Sequence, residues 1–507
     1  MTEELESRNV TARSALVPIL IFAAAKVLFH FLTNDGYGFH RDELATIDDA
    51  KHLAWGYVAY PPVTPFFGRV AMLFGDVTPS TLRFLPSVAQ SIVIVLAALI
   101  TRRFGGGRRA QWIAALATAI APLSLAASAL YQYVAFDFLW WVLIAYFVVR
   151  LAAARDPRWW VPAGIAIGLG VMTKYTILFY VAGIVAGFLL TDLRRHLRSG
   201  WLWAGVALSL LIVVPHLVWQ MQHDFITLDF LDHIRARDVR IGRTDGFIRD
   251  QFLVAANPIT APLWITGIVS LFLASRFAKF RIVAWMALVP FVLFVLARGR
   301  GYYLAPVYPM LFAAGATMLI RWLDARGPVL RRTAFAVVIV LLLIGSGAAV
   351  VALPIAPIGS ELFEIATRNN SDLKEEIGWP ELVAEVARIH QSLPAEERVQ
   401  TGIFCSNYGE AGAVNLYGPA HGLPPAISNI NSYWLRGPGP NPPPNVIVLG
   451  ASREDLEPFF ESVTVAGRTP VVAGVENEET RDHPDIYLCR GLRQPWEKVW
   501  PSIRSFG

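Results

Sequence analysis

Long apolar stretches separated by short polar loops dominate the first 354 residues of the chain. A membrane-spanning helix needs about 20 consecutive, mostly apolar residues. By that measure the candidate spans are 15–33, 82–101, 111–129, 138–153, 161–173, 176–191, 201–219, 259–275, 282–297, 303–320 and 333–354. The stretch 161–191 is long for one span and short for two. The pattern predicts a multi-pass α-helical membrane protein.

Basic residues cluster in five of the intervening loops, and cytoplasmic loops carry such an excess. These loops are 102–109, 150–158, 194–198, 276–281 and 321–332. Placing all five on the cytoplasmic side requires an even number of spans between them, so 161–191 must be a hairpin of two short helices. The prediction is then about eleven spans. The N-terminus is cytoplasmic, and the first outer loop, 34–81, and the C-terminal region are extracytoplasmic.

The pattern changes from Ile355 onward. Strand-like runs at Thr401–Cys405, Val446–Leu449 and Ile486–Leu488 alternate with Pro/Gly-rich turns and a helical period from Trp379 to His390. This alternation predicts a small extracytoplasmic α/β domain over 355–507, following a membrane domain over 1–354. Its two cysteines, Cys405 and Cys489, are either free thiols or, in an oxidising compartment, a disulfide.

Composition supports the membrane assignment. The chain is 55% hydrophobic and 16% charged, whereas soluble domains carry about 25% charged residues. The net charge of +5 does not indicate a nucleic-acid partner, because the basic residues form no continuous face. Residues 1–14 lead into the first apolar run without a small-residue cleavage pattern, so that run is expected to be a retained helix.

The first outer loop carries the strongest candidate chemistry. Asp42 and Glu43 follow His40 and Arg41 in a stretch rich in charge and aromatic residues, and we expect this acidic pair to be exposed at the membrane face. A carboxylate at the edge of a low-dielectric groove, near a cation, suits a general base that deprotonates a hydroxyl. The alternative is a solvated loop with an ordinary helix cap. A metal role is open as well, since His40 with Asp42, or Asp42 with Asp137, are possible ligands of a divalent ion.

Further candidates lie on the predicted outer side. Asp137 is a carboxylate at the mouth of an apolar helix, a kind of residue that commonly marks function. The cations suited to an anionic lipid headgroup are Lys174, Arg235, Arg237, Arg240 and Arg243. Tyr302 and Tyr303 follow a further arginine on the same side. Ordinary alternatives exist for each kind: an interfacial carboxylate, a snorkelling lysine, a solvated amphipathic helix and an aromatic belt.

Several of these segments resemble bacterial polyprenyl-phosphate-sugar glycosyltransferases of the GT-C fold, the ArnT-like and protein-mannosyltransferase-like (glycosyltransferase family 39-like) families. The first loop, HRDELATIDDAKHLAWGYVAYPPVTP from residue 40, is the most specific feature. Supporting runs are GLGVMTKY at 168–175, PHLVWQ at 215–220, NP at 257–258 with GYYL at 301–304, and NYGEA at 407–411. The resemblance covers most of residues 15–320.

The resemblance implies transfer of a sugar, with inversion, from a polyprenyl phosphate to an acceptor hydroxyl at the outer face of the bacterial cytoplasmic membrane. Asp42 would be the catalytic base, and Glu43 would help to position groups. Asp137 would match a second acidic position. The sugar would contact aromatic residues such as Trp55, Tyr57 and Tyr60.

The same resemblance would bring Lys174 and the arginines of 235–249 to the lipid phosphate, with His40 and Arg41 beside the catalytic acid. One position departs from the family pattern: several relatives have a lysine before Pro61-Pro62, where this chain has Tyr60. A transporter or lipid flippase is the main alternative, and a non-catalytic assembly or sensor protein is another.

Overall fold

The computed structural model describes residues 2–507, apart from the side chains of residues 2–15 and of Val350. In this described part, seven helices are long and apolar enough to cross a membrane, or up to nine if each of two bent helix pairs is one span. The prediction of a multi-pass helical membrane protein is confirmed. The count of about eleven spans is not.

The helices up to residue 353 are numbered in chain order. They are α1 (Thr2–Thr33), α2 (Arg41–Lys51), α3 (Val63–Ala71), α4 (Pro79–Arg103), α5 (Arg108–Ala119), α6 (Pro122–Ala126), α7 (Tyr133–Ala154), α8 (Trp160–Val171), α9 (Ile177–Leu189), α10 (Gly200–Gln222), α11 (Ile226–Arg240), α12 (Phe247–Asp250), α13 (Ala261–Leu273), α14 (Arg281–Ala297), α15 (Tyr308–Asp324), α16 (Pro328–Gly345) and α17 (Ala349–Ala352). The predicted hairpin at 161–191 corresponds to α8 and α9. The predicted span 111–129 is divided into α5 and α6, because Pro122 has no N–H to continue the helical ladder.

The chain forms two compact units built from non-contiguous segments. The membrane unit contains Met1–Thr33, Arg83–Val218 and Asp238–Leu353. The sheet unit contains Asn34–Leu82, Trp219–Arg237 and Pro354–Gly507. The first loop between membrane helices therefore belongs to the same unit as the C-terminal region. The linear domain boundary at residue 354 stays a prediction.

Close helix packing organises the core of the membrane unit. A Cβ placed on Gly267 of α13 would lie 2.1 Å from the Leu311 carbonyl oxygen, and one on Gly315 of α15 would lie 1.9 Å from that of Leu263. The two helices touch through these small residues, as membrane helices commonly do. Trp141 of α7 stacks on Tyr180 of α9, with ring centroids 4.2 Å apart.

The sheet unit contains a five-stranded mixed sheet. Its strands are β1 (Thr401–Cys405), β2 (Ala426–Ser428), β3 (Asn445–Leu449), β4 (Phe460–Arg468) and β5 (Asp485–Leu492), in the order β2-β1-β3-β5-β4. Strand β1 pairs in parallel with β2 and β3, whereas β5 pairs antiparallel to β3 and β4. The helices of this region are α18 (Glu361–Asn369), α19 (Trp379–Ser392), α20 (Ala395–Val399), α21 (Tyr408–Tyr417), α22 (Asn431–Arg436), α23 (Arg453–Leu456), α24 (Glu478–Asp482) and α25 (Trp496–Val499). The predicted α/β character is confirmed, and both cysteines are buried free thiols.

Helices α2 and α21 pack closely within the sheet unit. A Cβ on Gly412 would lie 2.5 Å from the backbone carbonyl carbon of Leu44, and one on Gly409 would lie 2.6 Å from Arg41 Cβ. Any larger residue at Gly412 would push against main-chain atoms that cannot rotate away. The glycines of α21 thus set the distance between the first loop and the C-terminal region.

Candidate functional site

The first turn of α2 is held by reciprocal capping. His40 precedes the helix, and its Nδ1 accepts a hydrogen bond from Asp42 N at 3.2 Å. The Glu43 carboxylate accepts one from His40 N at 2.9 Å. Such a capping box satisfies N–H groups that lack partners within the helix. The expectation of an exposed Asp42–Glu43 pair is therefore wrong for Glu43, whose side chain is fully buried.

Asp42 is the acidic side chain of this turn that reaches solvent, with 27% of its side chain exposed. The Tyr408 hydroxyl donates to its Oδ1 at 2.8 Å, and its Oδ2 lies 3.9 Å from His40 Nδ1. The neighbouring Arg41 forms an ion pair with Glu478. A partly exposed carboxylate oriented by a hydroxyl donor has the geometry of a general base.

The last turn of α2 carries a second acidic pair, Asp48 and Asp49, which is buried. Arg436, the last residue of α22, bridges the two carboxylates. The Tyr60 hydroxyl donates to Asp49 Oδ2 at 2.5 Å. Burial raises the pKa of Asp49 to about 6, although Arg436 and Tyr60 act to lower it. The family resemblance expects a lysine at position 60. In this protein Tyr60 instead donates a hydrogen bond to Asp49, and Arg436 supplies the positive charge beside that acid.

The aromatic residues of the first loop differ in their exposure. Tyr57 is 2% exposed; its hydroxyl donates to the Asp49 carbonyl at 3.0 Å and accepts from Ala54 N at 3.1 Å. Tyr57 thus supports the loop from inside. Trp55, in contrast, is 61% exposed.

A second group of predicted residues meets in the membrane unit. Asp137, in α7, is buried; its carboxylate accepts hydrogen bonds from Trp141 Nε1 at 3.0 Å and from Thr176 Oγ1 at 3.2 Å. Lys174, between α8 and α9, interacts electrostatically with Asp137. An ionisable residue in such surroundings needs partners of this kind and commonly marks function.

Three tyrosine rings surround the Lys174 ammonium group. Its Nζ lies 4.1 Å from the ring centroid of Tyr303, 4.7 Å from that of Tyr133 and 5.1 Å from that of Tyr302. Cation–π contacts of this geometry stabilise a partly desolvated cation. The structure therefore brings together Asp137, Lys174, Tyr302 and Tyr303.

Arg300 lies two residues before Tyr302 in the chain and forms a bidentate ion pair with Asp238. Its Nε and one terminal nitrogen lie 2.6 Å and 2.9 Å from the two carboxylate oxygens. A planar guanidinium held in this way keeps a fixed orientation. The segments 168–175 and 215–220, which both support the family resemblance, are in contact within the membrane unit. The Tyr175 hydroxyl lies 2.6 Å from His216 Nε2.

The four predicted arginines of α11 and the following turn are divided between the units. Arg235 and Arg237 belong to the sheet unit, and Arg240 and Arg243 belong to the membrane unit. Arg237 is half-buried, and the other three are exposed. The candidate residues thus form two groups, one in each unit.

The described side chains provide no ligand set for a metal ion. Within that part of the chain, no group of three or more His, Cys, Asp or Glu residues is placed to hold one. The possible ligands Asp42 and Asp137 belong to different units.

Sequence reasoning missed two residues that contact the first loop, Tyr408 and Arg436. They are separated from their partners by 366 and 388 residues. Asn407 and Glu410 form a capping box that starts α21, so the sequence marks Tyr408 as a first-turn residue. It carries no signal that this turn faces Asp42.

The fold of the chain is similar to that of known membrane proteins. Crystal structures of ArnT from Cupriavidus metallidurans superpose over nearly the whole chain. The apo form gives a TM-score of 0.58 at 16% identity, covering 94% of this chain and 98% of ArnT. The form bound to undecaprenyl phosphate gives 0.52 at 16% identity, covering 92% and 97%. This likeness shows a GT-C fold, and the chain is a multi-pass membrane protein of that class.

Sequence comparison adds similarity over part of the chain. Residues 59–219 match the dolichyl-phosphate-mannose-protein mannosyltransferase family. A lipid A galacturonosyltransferase, RgtD of Rhizobium johnstonii, is 27% identical over 263 residues, which are 50% of this chain and 54% of that protein. The chain thus spans about half the length of this curated relative. The comparisons therefore show a GT-C fold and, over residues 59–219, similarity to this mannosyltransferase family.

Proposed function

We propose that this protein is a membrane glycosyltransferase that moves a sugar from a polyprenyl-phosphate donor to an acceptor hydroxyl. The reaction takes place at the extracytoplasmic face of the bacterial cytoplasmic membrane, with inversion at the anomeric carbon. The observation that carries the proposal is Asp42, a partly exposed carboxylate at the start of α2 in a GT-C fold. Its position in the first loop is where the family resemblance expects the catalytic acid.

The chemistry requires a base more than an acid. Asp42 accepts the proton of the acceptor hydroxyl, whose oxygen forms a bond to the anomeric carbon. The bond from that carbon to the phosphate oxygen breaks, and the polyprenyl phosphate leaves with the electron pair. Because attack and departure occur on opposite faces, the configuration inverts.

The leaving phosphate is already anionic and needs nearby cations. Lys174, surrounded by tyrosines and close to Asp137, is the candidate for this role in the membrane unit. The exposed Arg240 and Arg243 are further candidates, since guanidinium groups pair well with phosphate. Trp55 offers an exposed ring to the sugar.

The substrates to test first follow from the relatives' names. The ArnT structure holds undecaprenyl phosphate, and RgtD is named for galacturonosyl transfer to lipid A. We therefore infer a C55-type polyprenyl-phosphate hexuronic acid as the first donor to try and a lipid A-like glycolipid as the first acceptor. Polyprenyl-phosphate mannose and aminosugars complete the donor panel.

Substitution of the proposed base tests the function. Purified Asp42→Asn should transfer sugar about 10²–10⁴-fold more slowly than wild type, because the amide cannot accept the proton. Transfer is followed by mass spectrometry of the acceptor. Asp76→Asn, an exposed first-loop acid, is the control and should retain wild-type rates. A wild-type rate in folded Asp42→Asn would show that Asp42 is not the base. No turnover by wild type with any donor would instead favour a transporter.

A further inference from the structure

The C-terminal region reaches the candidate base directly. Tyr408, the first residue of α21, donates its hydroxyl to Asp42 Oδ1 at 2.8 Å. Both residues belong to the sheet unit, although they are 366 positions apart in the chain. This is a direct side-chain contact from the C-terminal region to the carboxylate on which the proposed reaction depends.

The backbone around Tyr408 is fixed from both sides. The Asn407 side chain caps α21 by accepting from Gly409 N at 2.7 Å, and Glu410 completes the capping box. Gly409 and Gly412 allow α21 to lie against the main chain of α2. Tyr408 therefore has little freedom to move away from Asp42 without separating the two helices.

The hydroxyl of Tyr408 is suited to donate and not to ionise. Burial, followed by the charge of Asp42, raises its pKa far above the ordinary value. The phenol therefore stays protonated at neutral pH. A neutral donor fixes a carboxylate rotamer and stabilises its ionised form without removing its ability to accept a proton.

We propose that Tyr408 is a positioning residue for Asp42, so that the C-terminal α/β region completes the catalytic centre. Its hydroxyl holds Oδ1 and thereby orients the carboxylate toward the acceptor. The proposal rests on the proposed function for its kinetic consequence. The contact itself can be tested without activity.

Tyr408→Phe removes the hydroxyl and keeps the ring. We expect kcat to fall about 10- to 100-fold, the range for a lost hydrogen bond to a charged group. KM for the lipid donor should stay within about twofold if the hydroxyl acts only through its hydrogen bond to Asp42. The acidic limb of the pH–rate profile should move to higher pH, since a carboxylate that loses a donor is protonated more easily.

A second variant should move the acidic limb of the pH–rate profile in the opposite direction. Replacing Tyr408 with 3-fluorotyrosine makes the hydroxyl a stronger donor with little change in shape, so the acidic limb should move to lower pH. Tyr487→Phe, at a buried tyrosine of β5, is the control and should leave both kcat and the acidic limb unchanged. If the acidic limb moves in opposite directions in the two position-408 variants and does not move in Tyr487→Phe, the result supports the positioning of Asp42 by Tyr408. An acidic limb that stays in place in both position-408 variants would overturn it.

A double-mutant cycle separates the contact from the function. Thermal unfolding of Tyr408→Phe, Asp42→Ala and the double variant should be non-additive if the two side chains interact, since alanine leaves no acceptor for the hydroxyl. Coupling without turnover in the wild-type protein would reject the proposed function and leave the contact intact. Additive effects would overturn the positioning role even in an active enzyme.

Discussion

At the scale of single residues, buried carboxylates link the stability of the sheet unit to pH. Burial, followed by the neighbouring Glu375, raises the pKa of Glu479 to about 8. Asn407 Nδ2 donates to its Oε1 at 3.4 Å, whereas Oε2 has no hydrogen-bond partner among the described residues. The folded protein therefore favours the protonated acid at neutral pH.

Glu479→Gln should remove much of this pH dependence. Since the folded-state pKa lies above the ordinary value, the folded state binds the extra proton between about pH 4.5 and pH 8. The free energy of unfolding must then fall as pH rises through that window, by at most about 1.4 kcal/mol per pH unit. We expect the variant to match wild type near pH 5 and to have a higher Tm at pH 9.

Thermal unfolding of the detergent-solubilised protein, followed by intrinsic fluorescence from pH 5 to pH 9, provides the measurement. Glu476→Gln changes an exposed acid in the same segment and should follow the wild-type curve. A Glu479→Gln variant that is no more stable than wild type at pH 9 would contradict the burial argument.

Single residues of the candidate site also differ in how readily the sequence indicates them. Asp42 was chosen as a candidate because its charge and its position in the first loop are local features. Arg436 and Tyr408 were given no role, although Tyr408 lies in the run 407–411 that supports the family resemblance, because their contacts with the first loop span more than 360 positions. Glu43 was expected to be exposed, but the capping box draws it inward.

At the scale of elements, helices α2 and α21 of the sheet unit pack closely through glycines. Gly412→Ala should separate them, because its Cβ would meet the Leu44 carbonyl carbon at 2.5 Å. We expect a loss of about 1–3 kcal/mol in stability, the usual result of overpacking. Transfer should weaken as well, since α2 carries Asp42. Denaturant unfolding and the transfer assay measure the two effects.

Gly327→Ala is the matched control, because nothing lies within 4 Å of a Cβ at that position and its φ of −60° suits alanine. It should behave as wild type. Equal stability of Gly412→Ala and wild type would mean that α2 and α21 can adjust their spacing freely.

Element prediction succeeded where the pattern was local and strong. The runs for β1, β3 and β5 and the helical period of α19 correspond to observed elements. Strands β2 and β4 were missed: β2 has three residues, and β4 has a broken alternation with a register shift between Val465 and Gly467. The break between α5 and α6 was missed because Pro122 lies inside an otherwise continuous apolar run.

At the scale of the whole molecule, the first loop and the C-terminal region form one compact unit although they lie far apart in the chain. Arg436 contributes to this unit by bridging Asp48 and Asp49. Both carboxylates are buried, so removal of Arg436 would take away the cation that bridges two buried acids. Loss of one partner from a buried ion pair costs about 3–5 kcal/mol.

We therefore expect Arg436→Ala to loosen the first loop in the full-length protein. Hydrogen–deuterium exchange should rise sharply in peptides from α2, and sugar transfer should fall because Asp42 lies on that helix. Arg468→Ala removes an arginine that pairs with Asp485 at 2.9 Å on the exposed edge of β4. Exposed pairs contribute about 0–1 kcal/mol, so this control should leave exchange in α2 unchanged. If α2 exchanges as slowly in Arg436→Ala as in wild type, the glycine-mediated contact with α21 holds the loop by itself, and Arg436 has no part in it.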